Sequence, residues 1–150
     1  MGYTLNFSAV WRNFDHLLEG LALSLVLAVA SILAGCAVGL VTAFMLQSKN
    51  RAISGVARIY VTAIRNTPIL VLILFTYFAL PQLGLRLGKI ESFILTLTVY
   101  AGAYLAEIFR SGLVSMPKGL REAGLAIGLT EFQTRTSIII PIMIRNVLPV

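Results

Sequence analysis

Residues 20–48 read GLALSLVLAVASILAGCAVGLVTAFMLQS, with no Asp, Glu, Lys or Arg between Glu19 and Lys49. A helix rises about 1.5 Å per residue, so this run crosses a hydrocarbon core roughly 30 Å thick. The rest of the chain has the same character. Of its 150 residues 58% are apolar and only 12% charged, whereas a soluble domain carries about 25% charged residues. Mean hydropathy is +0.90. The solvent for most of this chain is lipid. Gly35 and Gly39 form a small-xxx-small pair of the kind that lets a second helix approach closely in a membrane.

Charge and cysteine content exclude several classes. Twelve Lys and Arg against six Asp and Glu leave a net charge of +6. In a nucleic-acid binder these bases would share a face with aromatics. Here they sit in short connections between apolar runs, so no nucleic acid is expected and the bilayer is the partner surface. Cys36 stands alone and can form neither an internal disulfide nor a metal site. Leu33-Ala34-Gly35-Cys36 has the form of a lipoprotein cleavage box. A signal peptide needs a basic start and a short apolar core, but Arg12 is offset by Asp15 and Glu19 and the apolar run continues past Cys36. Cys36 therefore reads as a packing residue in a retained span, and His16 as an interfacial polar residue.

Further spans follow. Ile53 to Ile64 is amphipathic, with Ile53, Val56, Ile59, Tyr60 and Ile64 apolar at helical spacing. In Arg65-Asn66-Thr67-Pro68, Asn66 or Thr67 can cap a new helix with Pro68 in its first position. The uncharged stretch 66–85 closes in a Pro81/Gly84 turn. Two readings remain open here: an interfacial helix followed by a separate span, or one discontinuous span whose break lines a translocation path. A third span runs from about Ile90 to Ala106, its helix continuing to Arg110. Glu107 and Arg110, three apart, share a face and are expected to form an interfacial ion pair.

The polar segment 121–141, REAGLAIGLTEFQTRTSIIIP, interrupts the apolar pattern. Ser115 in Ser115-Met116-Pro117-Lys118 is the expected N-cap of a short helix that Gly128 terminates. Thr130-x-x-Gln133 has the spacing of a capping box and starts a second helix. Pro141 is expected to kink that helix on its way through Arg145 and Pro149. Loops 49–58 and 110–135 hold Lys49, Arg51, Arg58, Arg110, Lys118, Arg121 and Arg135. The opposite side has Arg12, Arg86 and Lys89. The positive-inside rule puts segment 121–141 in the cytoplasm and the N-terminus outside.

Segment 121–141 resembles the EAA loop of ABC importer permeases: Glu-Ala-Ala, three residues, Gly, nine residues, Ile, one residue, Leu-Pro. Glu122, Ala123, Gly128, Ile138 and Pro141 match; Gly124 replaces the second Ala and Ile140 the Leu. Leu18-Glu19-Gly20, Arg65-Asn66-Thr67-Pro68 with Phe75-x-Tyr77-Phe78-x-Leu80-Pro81, residues 103–112 (AYLAEIFRSG), Met116-Pro117-Lys118-Gly119 and Gln133-Thr134 are similar to permeases for polar amino acids.

The resemblance implies an all-α integral membrane protein of the type I ABC importer permease fold. About four spans of an expected five are present. Residues 1–17 form an extracytoplasmic segment and residues 18–150 one transmembrane domain with the loop at 115–141. Relatives continue into another span where this chain stops at Val150.

The implied function is the permease subunit of a bacterial inner-membrane importer, forming the path for a polar or charged amino acid. It would work with a second permease subunit, identical or homologous, a cytoplasmic ATPase dimer and an extracytoplasmic solute-binding protein. Glu122, Ala123, Gly124, Gly128, Ile138 and Pro141 would couple it to the ATPase, which alone binds ATP and Mg. Asn66, Thr67, Tyr77 and Tyr104 are candidates for the path. No Walker loop, metal cluster or nucleophile–base pair points to an enzyme or a cofactor of its own. The alternatives are a truncated, non-transporting remnant and an ion-coupled secondary transporter. The latter would require carboxylates inside spans, and apart from Glu107 near a boundary the span interiors lack them.

Overall fold

The computed structural model describes residues 8–117 and 119–148. Lys118 in the expected loop opening, Pro149 in the expected last helix and the first seven residues lie outside the described residues. The described residues form eight α-helices in order: α1 (Ser8–Arg12), α2 (Phe14–Leu46), α3 (Arg51–Arg65), α4 (Ile69–Leu74), α5 (Lys89–Val114), α6 (Gly119–Ala126), α7 (Glu131–Thr134) and α8 (Ile140–Val147). No strand occurs among the described residues.

α2, with 33 residues, and α5, with 26, are each long and apolar enough to cross a membrane. Helix Arg51–Arg65 and the helical run Ile69–Leu83 together qualify as a third crossing, bent by 105°. This favours the discontinuous reading of that region. Among the described residues two helices, or three crossings with this bent pair, meet that length and apolarity, and the helical segment after the polar loop is described to Val147. Only a short apolar run precedes Arg145 there.

α2 and α5 pack against each other in parallel. A Cβ added at Gly35 would meet Ala101 Cβ at 2.8 Å, and one at Gly39 would meet Leu105 Cβ at 2.8 Å. The matched steps, four residues on each helix, fix the direction. Ser31, Gly35, Gly39 and Ala43 recur at spacing four on α2 and are all buried; Ser92, Thr96, Gly102, Ala103 and Ala106 are their counterparts on α5. Lipid tails are as apolar as leucine, so helix association in a bilayer depends on close packing of small residues. Leu25, Val29 and Leu33 point away from this seam and stay exposed, as a lipid-facing surface must.

α3 lies across the pair, burying Ala57 and Val61. The Tyr60 hydroxyl donates to the Val99 carbonyl at 2.6 Å. The expected apolar face of α3 is divided: Tyr60 and Ile64 turn inward, whereas Ile53, Val56 and Ile59 are exposed. The N-cap of α3 is Asn50, whose side chain accepts from Ala52 N–H at 2.9 Å.

At the other end of α3, Asn66 Nδ2 donates to the Thr62 carbonyl and Thr67 Oγ1 to the Ala63 carbonyl, each at 2.8 Å. These two residues therefore close α3 instead of capping a new helix, because the last carbonyls of a helix need donors. Pro68 is the N-cap of α4, in an extended conformation with ψ 136°, not its first helical residue.

Prolines 81 and 141 meet the chain in the same way. Each follows a π-helical turn, Phe75–Ala79 and Arg135–Ile139, in which the residue before proline donates five residues back: Leu80 to Phe75 and Ile140 to Arg135. A proline ring collides with the carbonyl four residues earlier, and a widened turn relieves that collision. The perturbation expected at Pro141 is thus spread over the turn before it. A 3₁₀ turn, Leu80–Leu83, then ends at Gly84 with φ 91°, the expected Pro81/Gly84 turn.

α8 returns onto the C-terminal end of α5. A Cβ at Gly112 would sit 2.5 Å from Val147 and 3.1 Å from Met143. Ala43, Leu113, Ile139 and Met143 form the core there, with Phe44, Phe109 and Met116 packed around it.

The seam yields a direct test. Gly39→Leu should destabilise the protein by about 1–3 kcal/mol, the cost of overpacking a close contact, and lower its melting temperature in detergent. Gly55→Ala, with nothing within 4 Å of its added Cβ, should be neutral or slightly stabilising, as alanine is the better helix former.

Candidate functional site: a braced helical elbow and an arginine-lined cleft

The polar segment forms two short helices around a fixed corner. Leu129 N–H bonds the Gly124 carbonyl at 3.1 Å and Gly128 N–H the Leu125 carbonyl at 3.0 Å. This is a Schellman closure. Gly128 has φ 86°, a left-handed conformation that glycine adopts without a Cβ clash. The capping box is complete. Gln133 N–H donates to Thr130 Oγ1 at 3.2 Å, and Thr130 N–H donates to Gln133 Oε1 at 2.9 Å.

Two further braces hold the corner. Arg121 on α6 pairs with Glu131 on α7, its Nε donating to Oε2 at 3.2 Å. α6 also lies directly on the following helix at Gly124, where an added Cβ would meet Thr134 Cγ2 at 2.7 Å and Ile138 Cδ1 at 3.2 Å. Gly124, which departs from the family's alanine, is therefore matched to the fully buried Thr134. Arg135 carries the bracing to the spans, its guanidinium lying 5.3 Å from the centroid of the Phe44 ring on α2.

The expected coupling residues thus have distinct positions. Gly124 and Ile138 meet across the elbow and Gly128 forms its corner. Pro141 lies beyond the widened turn. Glu122 and Ala123 are exposed, and Glu122 makes no ion pair among the described residues. Ser115 corrects its expectation: its hydroxyl donates back to the Gly112 carbonyl at 2.9 Å, so it closes α5 instead of opening α6. A cleft of about 1050 Å³ beside the elbow is lined by Lys49, Arg121, Glu122 and Arg135 among others. Both basic loops therefore lie at one end of the bundle.

The second constellation sits between α3 and α5. A cleft of about 610 Å³ is lined by Arg58, Thr62, Arg65, Asn66, Tyr104, Glu107 and Arg110, with Leu46 and Val61. The expected Glu107–Arg110 pair is formed, with Arg110 Nε donating at 3.0 Å and Nη2 to the same carboxylate oxygen. Arg65 lies 5.3 Å from the Tyr104 ring centroid, and Tyr104 shares a hydroxyl–hydroxyl contact of 3.2 Å with Tyr100. Of the candidate path residues, Asn66 and Tyr104 meet here. Thr67 is taken up by its own helix, and Tyr77 lies in the π-turn edge-on to Phe78.

Sequence reasoning missed the Arg121–Glu131 pair, the burial of Thr134 against Gly124, and the shared placement of Arg58 and Arg65 on one cleft. The last was signalled by their separation of seven residues, two helical turns on one face.

Residues 31–150 match the family described as binding-protein-dependent transport system inner membrane component. The chain belongs to that family. It is 36% identical over 146 residues to the glutamine transport system permease protein of Escherichia coli, covering 96% of this chain and 67% of the relative. A probable glutamine ABC transporter permease protein of Bacillus subtilis is 37% identical over 138 residues, covering 92% of this chain and 63% of its own length. The crystal structure of an amino acid ABC transporter with histidines superposes with a TM-score of 0.81 at 32% identity, covering 98% of this chain and 69% of that chain. This chain thus spans about two thirds of these relatives, which are membrane transport subunits and not enzymes.

Two predictions concern the elbow. Gly124→Ala should pry α6 from Thr134, costing about 1–3 kcal/mol. Hydrogen exchange at the Leu129 amide should then accelerate about tenfold or more, and Thr134→Ser should partly restore protection. The second concerns pH. The hydrogen bond from Arg121, more than its charge, holds the Glu131 carboxyl below its ordinary value of 4.5. A depressed carboxyl pKa stabilises the elbow above the ordinary carboxyl range, and that stabilisation is lost as pH falls through the depressed value. Spin labels at Leu125 and Phe132 should give a narrow distance distribution at neutral pH that broadens only in acid. In Arg121→Gln it should be broad throughout.

Proposed function

We propose that this chain is the membrane-spanning subunit of a bacterial ABC importer, forms the path for a polar amino acid, and receives the ATPase stroke through α6. The observation that carries the reading is the elbow. A short helix is braced at Gly124, Gly128, Thr130 and Arg121–Glu131, while Glu122 and Ala123 are exposed and Glu122 makes no ion pair among the described residues. A device that converts nucleotide-driven closure into helix motion needs that combination: a rigid lever with a free docking face. Glu122 offers a carboxylate to a basic group of the ATPase, and α7 passes the displacement through the core around Met143 to α5.

The orientation follows from charge. Lys49, Arg121 and Arg135 border one cleft, and Arg51 lies in the same basic loop. The positive-inside rule assigns that end to the cytoplasm, where the ATPase is. The N-terminus then lies outside, in the inner membrane of a bacterial cell, facing a solute-binding protein. ATP and Mg belong to the ATPase, and a second permease subunit completes the path. The relatives carried by name as glutamine permeases support a polar amino acid as cargo.

Gly128→Trp tests the coupling. A bulky L-residue at φ 86° carries backbone strain of about 1–3 kcal/mol and should swing α6 off its docking line. Reconstituted with its partners, the variant should insert normally but lose ATP-driven amino-acid uptake and substrate-stimulated ATP hydrolysis. Uptake and stimulation at wild-type levels would remove the docking role.

A further inference from the structure

Arg51, Arg58 and Arg65 stand seven residues apart, about two turns each, and so form one line along α3. Beside that line Val56 and Ile59 are 62% and 71% exposed. A helix with a basic stripe next to an uncovered apolar one suits the boundary between headgroups and acyl chains. The cleft between α3 and α5 lies at that depth. Leu46, the last residue of α2, lines it, as do Glu107 and Arg110 in the closing turns of α5. Both helices here reach the end of the bundle that carries the basic loops.

The cleft is short of negative charge. The guanidiniums of Arg58, Arg65 and Arg110 face one carboxylate, Glu107, which Arg110 already holds through two donors. Neither Arg58 nor Arg65 makes an ion pair among the described residues. The ring face of Tyr104 steadies Arg65 without neutralising it. A guanidinium keeps its proton under all ordinary conditions, and unpaired charge beside apolar spans is costly. Other polar groups of the cleft are engaged within the chain: Asn66 Nδ2 by the Thr62 carbonyl and the Tyr104 hydroxyl by that of Tyr100. What the surface lacks is an anion for two planar donors, joined to an apolar portion that covers Val56 and Ile59.

We propose that Arg58 and Arg65 hold the phosphodiester of an anionic phospholipid of the cytoplasmic leaflet, with its acyl chains over Val56 and Ile59. Phosphate oxygens accept paired N–H bonds from a guanidinium fork, and the negative potential of that leaflet draws such lipids to basic residues. A free anion would satisfy the arginines and leave the apolar flank bare, whereas a lipid satisfies both. Arg65 leads directly into the 105° bend between α3 and the next helical run, so a bound headgroup ties down the helix at its hinge. The proposal requires α2 and α5 to span a bilayer and does not depend on transport.

The test uses the full-length protein in nanodiscs of phosphatidylcholine with or without phosphatidylglycerol of the same acyl chains. Modification of each arginine by phenylglyoxal, a neutral reagent, is followed by peptide mass spectrometry. Arg51 is the reference, being on the same helix and at the same end of the bundle but outside the cleft. Phosphatidylglycerol should slow modification of Arg58 and Arg65 by about fivefold at near-saturating content, by simple occupancy, and that of Arg51 by less than about twofold. Native mass spectrometry should find phosphatidylglycerol retained on the wild type and lost from Arg58→Gln/Arg65→Gln, while Arg65→Lys keeps part of it.

Equal slowing at Arg51 overturns the site, because it reports only diffuse attraction to the leaflet. Equal retention of phosphatidylcholine also overturns it. Protection of Arg58 and Arg65 by inorganic phosphate in pure phosphatidylcholine assigns them to a free anion, and protection there by L-glutamine assigns them to a solute; either result removes the lipid. None of these outcomes touches the permease reading, which stands or falls on ATP-driven uptake.

Discussion

Backbone contact between α2 and α5 is the constraint on which the rest of this structure depends. At Gly35, Gly39 and Gly102 the two helices approach so closely that a single added methyl would meet carbon or backbone atoms at 2.8 to 3.4 Å. In a bilayer no hydrophobic force drives helices together, so such contact must be built from small residues over a long register. Ser31 to Ala43 supplies it on one side and Ser92 to Ala106 on the other. α3 lies across that pair, and the core of Ala43, Leu113, Ile139 and Met143 extends it to α8.

Both candidate sites are consequences of this frame. The cleft lies where α3, buried at Ala57 and Val61, crosses the pair and turns Arg58, Thr62 and Arg65 toward α5. The elbow exists because Gly112 admits α8 close to α5, which fixes the helix that α6 is braced against. A displacement of α6 therefore has a packed route to α5, whose Glu107 and Arg110 border the cleft. Two glycines matched to larger neighbours hold the elbow in place: Gly112 with Met143 and Val147, and Gly124 with Thr134.

The sequence made the membrane class, the polar elbow and the Glu107–Arg110 pair legible, for identifiable reasons. Uncharged length reports a span directly, and Gly128 and Thr130-x-x-Gln133 are local signals whose geometry is set within a few residues. Glu107 and Arg110 lie one turn apart. What was illegible depended on tertiary context. Asn66 and Thr67 satisfy the helix behind them and not the one ahead, a choice that their residue types allow in both directions. The exposed Ile53, Val56 and Ile59 cannot be told from core residues when lipid and protein are equally apolar. The Gly124–Thr134 approach and the Arg121–Glu131 pair bridge ten residues across a corner, beyond any periodic pattern. Pro141 announced a disturbance but not that a π-turn would absorb it.

The central claim is that the outward face of α6 docks on a cytoplasmic ATPase. It is tested most directly by Glu122→Cys in a Cys36→Ala background, using intact cells and inverted membrane vesicles. The account predicts that a membrane-impermeant maleimide labels the introduced thiol only in inverted vesicles, and that the ATPase subunit both shields it and forms a disulfide with it through a cysteine placed in its cleft. Labelling from the outside of intact cells, or a thiol that the ATPase neither shields nor cross-links, would contradict it.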